Sequence, residues 1–222
     1  MDAPERSVDP ILERYSRVIE YSFPVVQPSY EQTDVIGWQT ANAAVQTAGR
    51  EIFDRLGAYL NVSFIEVTDP LDMNVIAIGV SNQTETVGFA YFPNPDFEVG
   101  MDVFISDDYV APRFVGSETT NFDYEIMLHE IYHALGLKHP FEADGDNTNV
   151  LGSREDTSPY TVMSYNLDPS TFAGDARVLD LMALTALYGV NPSYRLEDDT
   201  YEFSNSSGVF IVDGGGRDTV AY

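Results

Sequence analysis

The chain has 222 residues, 36 acidic and 11 basic, with a formal charge of −25, and 44% of it is hydrophobic. A chain of this length buries roughly 70% of its unfolded surface, no apolar run approaches the ~18 residues of a membrane span, and the charge repels nucleic acid and anionic membranes. Cysteine is absent, which excludes disulfides and thiolate metal sites. Self-repulsion of this size is relieved by bound cations or by salt. A plain solubilising surface, calcium sites and a saline habitat all remain open as its meaning.

The N-terminal stretch MDAPERSVDPILERYSRV is polar and acidic, without the apolar core of a cleaved signal peptide. Export, if it occurs, is expected to use another route, or the chain is a piece of something longer. Alternation over 17–22 predicts a first strand that Pro24 ends. A long amphipathic helix is predicted over 35–59, with Trp38, Ala41, Val45, Ala48, Ile52 and Leu56 on its core-facing side. Four strands are predicted next, over 62–67, 74–80, 87–92 and 101–106. The tight Ser81–Thr84 connection implies that the third reverses on the second. A further helix is expected to begin near 121–124, with Asn121 or Asp123 as its N-cap.

That helix leads into LHEIYHALGLKHP, residues 128–140, which holds all three histidines: His129, His133 and His139. Residues four apart share a helix face, so His129 and His133 can offer nitrogens to one ion. Gly136 is suited to end the helix in a left-handed conformation, and a turn there returns His139 to the same point. Three neutral imidazoles with an open position form the ligand set of a catalytic zinc. Glu130 stands beside that metal, where a general base for water belongs. The full His-Glu-x-x-His-x-x-Gly-x-x-His spacing is far more specific than two histidines alone.

Beyond Pro140 the chain is polar and aperiodic, and Asp144, Asp146 and Asn147 are spaced like a fragment of a calcium loop. A solvated loop is the alternative there. In YTVMSY, residues 160–165, Met163 can form a soft floor beneath the histidines and Tyr165 can bring a phenol to the metal. Taken alone, Met163 is better explained as an ordinary core residue and Tyr165 as an ordinary half-buried tyrosine.

HEIYHALGLKHP followed by YTVMSY resembles the metzincin metalloproteases, and among them the serralysin family. VIEYSFP resembles the family's opening strand, VGFAYFP its edge strand, VLDLMALTALYGVN its closing helix, and DTYEF with VDGGGRDTVAY the entry to its calcium-binding β-roll. The resemblance implies an α/β (α+β) metzincin fold: a twisted five-stranded mixed sheet with an antiparallel edge strand, a long backing helix, an active-site helix and a C-terminal helix. It divides the chain into a catalytic domain, 1–190, and a linker with the beginning of a truncated β-roll, 191–222.

It further implies Zn2+ on His129, His133 and His139, Glu130 as general base, Met163 as the floor and Tyr165 as a switchable ligand and catalytic phenol. Structural Ca2+ is expected as well. The implied substrate is a protein or peptide lying extended along 87–92 beside Val87, Phe89 and Tyr91. A secreted bacterial monomer follows, without nucleic-acid or membrane partners and without a cleaved signal peptide. The alternative is a catalytically weak or inactive binding module of a larger calcium-binding secreted protein. The family usually has glycine where this chain has Tyr132. That ring is expected to cover Gly136 and pack near the Met163 turn, with intrusion into the substrate cleft or ligation of the metal left open.

Overall fold

The computed structural model describes residues 16–29, 35–68, 75–94, 100–113, 121–145, 147–168, 176–202 and 211–221. Its architecture is mixed α/β, with one mixed sheet and, among the described residues, four helices. The strands are β1 (Val18–Ser22), β2 (Gln39–Thr40), β3 (Ser63–Glu66), β4 (Val75–Ser81), β5 (Gly88–Ala90) and β6 (Val103–Ser106), followed by β7 (Thr200–Glu202) and β8 (Thr219–Ala221). The helices are α1 (Ala43–Tyr59), α2 (Asp107–Arg113), α3 (Asn121–Ala134) and α4 (Val178–Tyr188).

The main sheet runs β3-β1-β4-β6-β5, with the short β2 attached antiparallel to β4. β3, β1, β4 and β6 are mutually parallel, and β5 alone on that path is antiparallel, at the edge against β6. Every residue of β4 and β6 is buried, which accounts for their unbroken apolar runs. The predicted third strand therefore does run against the second, but it pairs with the fourth, β6. Two ladder bonds outside β5 extend this pairing, from Tyr91 N to Asp102 O and from Ser106 N to Val87 O.

α1 begins eight residues later than the periodicity suggests. Gly37 takes φ +65°, Gln39–Thr40 pair with β4, and Asn42 caps the helix by accepting from Ala44 N and Val45 N at 3.0 Å each. Val45, Ala48, Ile52 and Leu56 do face the core. Trp38 does not belong to that helix: it is half-buried over β4, where a Cβ on Gly79 would come within 2.7 Å of its ring nitrogen.

The short α2 follows β6 without a break and was not predicted; about two turns carry too little periodicity to register. It is tied to α3 by Tyr109 Oη, which donates to Asp123 at 2.6 Å. Asp123 thus lies inside the first turn of α3 as an acceptor for Tyr109, and the helix already includes Asn121. Asn74 and Asp146 fall outside the described residues. α4 packs its Leu184 and Tyr188 into the core, and Tyr188 Oη donates to Leu135 O at 3.0 Å, just past the end of α3. β7 and β8 form a separate parallel pair. No helix among the described residues is long and apolar enough to cross a membrane.

Candidate metal centre

α3 carries Leu128, Ile131 and Tyr132 into the core, with Leu135 just past its end, and turns His129 and His133 to another face. It ends at the predicted glycine: Gly136 has φ +97°, Gly136 N donates to His133 O and Leu137 N to Tyr132 O, both at 2.9 Å. This left-handed stop sends the chain back so that His139 meets the other two rings. His139 Nε2 lies 3.2 Å from His129 Nε2 and 3.0 Å from His133 Nε2.

Each remaining ring nitrogen has an acceptor. His129 Nδ1 donates to Val162 O at 2.8 Å, His133 Nδ1 to Leu137 O at 2.7 Å, and His139 Nδ1 to the Glu142 carboxylate. With the proton held on Nδ1, every Nε2 presents a lone pair. Three lone pairs at this separation repel one another unless an electron-pair acceptor sits among them. Tetrahedral bonds of ~2.0–2.1 Å would set zinc-bound nitrogens roughly 3.3 Å apart, close to the distances found. Burial pulls the His129 pKa down to about 4, against the opposing pull of the Val162 carbonyl, and so favours the neutral ligand form. The three residues fit a metal.

Glu130 is 4% exposed and faces β5, and its Oε2 has no hydrogen-bond partner among the described residues. Burial alone pushes its pKa up to about 8. Tyr165 is 64% exposed, with its ring 4.7 Å from that of His139 and 5.7 Å from that of His129. Met163 is buried in the turn that supplies Val162 O, and it lines a small cavity with Leu137 and Pro140.

Two cavities flank Glu130. One, about 450 Å³, is lined by the three histidines, Glu130, Tyr165 and the β5 residues Gly88, Phe89 and Ala90. The other, about 360 Å³, runs along the N-terminal half of α3 and is bounded by Val87 on its far side. Tyr91 and Tyr132 line neither of them. Tyr91 packs edge-on against Phe89 and Phe104. Tyr132 is 0% exposed within the hydrophobic core. Of the places open to Tyr132, packing, substrate cleft or metal, the ring occupies the core, because its side of α3 faces inward. Asp144 lines the larger cavity, and Asn147 uses its side chain on Asn149 N.

Three supports were not read from the sequence. Asp180, 1% exposed, accepts from Thr161 Oγ1 (2.6 Å), Val162 N (2.9 Å) and Arg177 N (2.9 Å), so α4 braces the turn whose carbonyl holds His129. Its one signal was an acid inside the apolar run VLDLMALTALY. Glu142 on His139 and the buried pair Glu125–Arg177, 3.3 Å apart, left no local pattern. Burial pushes Glu125 up to about 7 despite the guanidinium, with Asp180 adding to the rise.

A mixed sheet, a helix carrying two of three converging histidines, and a buried carboxylate beside them define an α/β fold with a three-histidine group that could hold a metal ion at a cleft. The chain is similar to serralysin of Photorhabdus laumondii subsp. laumondii, 24% identical over 85% of this chain and 42% of that protein. It is also similar to serralysin of Proteus mirabilis (27% identical; 90% of this chain, 48% of that protein) and to metalloprotease AprA of Pseudomonas entomophila (30%; 71% and 39%). The chain is thus serralysin-like, and it spans less than half the length of each of these relatives. No protein-family model matches it.

Proposed function

We propose that the chain is the catalytic part of a secreted, zinc-dependent endopeptidase with a metzincin fold, hydrolysing internal bonds of extended peptides. The observation that carries this reading is the convergence of three Nε2 lone pairs at 3.0–3.2 Å beside the buried Glu130. Its similarity to serralysins and to AprA supports the same reading.

His129, His133 and His139 would hold the zinc. When bound, the ion supplies Lewis acidity and a positive charge that draws the Glu130 pKa back down from about 8. Glu130 then takes a proton from the attacking water and returns it to the leaving amine. The Tyr165 phenol donates to the oxyanion that develops on the scissile carbonyl. Substrate main chain adds to the outer edge of β5, which pairs only with β6 among the described residues. Val87 directly precedes that strand and Phe89 lies within it, and Met163 supports the histidines from the turn below. The segment 191–222, with its parallel β7–β8 pair, reads as the opening of a calcium-binding β-roll. The carboxylates of Asp199, Asp213 and Asp218 lie within 4.8 Å of one another there.

The test is zinc analysis with a peptide digest, with and without chelator, on wild type and Glu130→Ala. One zinc per chain is expected, with activity in the variant down by ~10²–10⁴-fold and zinc retained. Absence of zinc uptake, or near-normal turnover by Glu130→Ala, overturns the reading. A rise in melting temperature on adding millimolar calcium, lost in Asp213→Ala, checks the β-roll assignment.

A further inference from the structure

The 360 Å³ cavity beside Glu130 has apolar walls and a carboxylate at one side. Phe122, Ile126, Val162 and Leu167 contribute the apolar surface, and Glu125 completes the wall one helical turn before His129. Glu125 is 5% exposed. Its Oε2 is braced by Arg177, whose own Nε donates to Ser158 O at 2.9 Å, while Oε1 is buried without a hydrogen-bond partner among the described residues. A buried carboxylate oxygen left unpaired is costly, so a donor that meets it as the Glu125 side chain turns toward this cavity is favoured. The wall also carries Glu85 at its exposed rim and Glu130, and no lysine or arginine among the described residues lines it.

We infer that Glu125 selects a lysine or arginine side chain on the substrate residue next to the scissile bond. The proposal rests on the endopeptidase reading above. An aliphatic stem covers the apolar walls while a charged head reaches a carboxylate, the arrangement that long cationic side chains adopt. A neutral donor such as a tyrosine phenol also matches one free oxygen. The excess of carboxylates over cations in the lining favours the charged head, as does the chain's charge of −25, which gathers cationic peptides.

The experiment uses the zinc-loaded chain on a randomised peptide library, with cleaved bonds located by mass spectrometry. Lysine and arginine should exceed norleucine by about tenfold or more at one of the two positions flanking the bond, as a charge-assisted hydrogen bond implies. Glu125→Gln should bring that ratio close to unity. In parallel, an arginine-containing tripeptide should bind the metal-free chain more tightly than its norleucine counterpart, and Glu125→Gln should close the gap. Cleavage with no basic preference, a preference for tyrosine alone, or a preference that survives in folded Glu125→Gln overturns this proposal and leaves the endopeptidase reading standing. Absence of any cleavage by the zinc-loaded chain overturns both. If the variant does not fold, the wild-type profile decides.

Discussion

The bare Cα of Gly88 lies directly against the side chain of Glu130: a Cβ built on it would come 2.9 Å from both Cγ and Oε1. β5 is held to β6 by its ladder, so the added methyl is relieved by a shift of the Glu130 side chain toward the cavities beside it. Gly88→Ala should therefore displace the proposed base while leaving the histidines untouched. Activity should fall by about 10²-fold, the scale of a ~1 Å misplacement, with zinc content unchanged. Near-normal turnover in the variant would mean that the position of Glu130 against Gly88 does not matter to the reaction.

Glu142 orients His139 through Nδ1 and is itself largely exposed. Glu142→Ala should leave the fold intact and weaken zinc binding by roughly 10–100-fold, as is usual when a ligand loses its outer partner. Competition against a chromophoric chelator measures this. An unchanged affinity would assign Glu142 to the surface alone.

Glu125 supplies a pH dependence whose sign follows from its raised pKa. A carboxyl held near 7 when folded and near 4.3 when unfolded keeps its proton longer in the folded state. Its stabilising contribution is complete below the unfolded value and is lost as pH rises through about 7. His129, pulled to about 4, gives the opposite slope between that value and its unfolded 6.5. The difference between wild type and Glu125→Gln is therefore the informative quantity. In metal-free protein the variant should gain relative stability from pH 4.5 to 7, by up to ~1.4 kcal/mol per pH unit. A difference independent of pH in melting curves would contradict the assignment.

Tyr132 should behave as a core residue. Tyr132→Gly removes a ring that is 0% exposed and lowers helix propensity besides. A loss of about 3–5 kcal/mol is the scale for deleting a buried aromatic, while the peptide profile of any folded protein should be unchanged. Broader specificity without a stability loss would return Tyr132 to the cleft.

The convergence of the three histidines was legible because its determinants are local. His129 and His133 need only helical spacing, and His139 needs only the left-handed turn that Gly136 supplies. Most strands were legible because alternation and apolar runs repeat within a few residues, and the direction of β5 was legible from the tight Ser81–Thr84 connection. The start of α1 was not, because Trp38 and Ala41 continue the helical period by coincidence while Gly37, β2 and the Asn42 cap oppose it. Tertiary structure alone decided that β5 pairs with β6, that Gly88 abuts Glu130, that Tyr132 turns inward, and that Arg177 meets Glu125 across 52 positions. Such relationships join residues from separate elements, and their energy comes from packing and desolvation after the chain has closed. Local spacing thus determined which atoms can hold a metal in this protein, and only the closed fold decided what surrounds them.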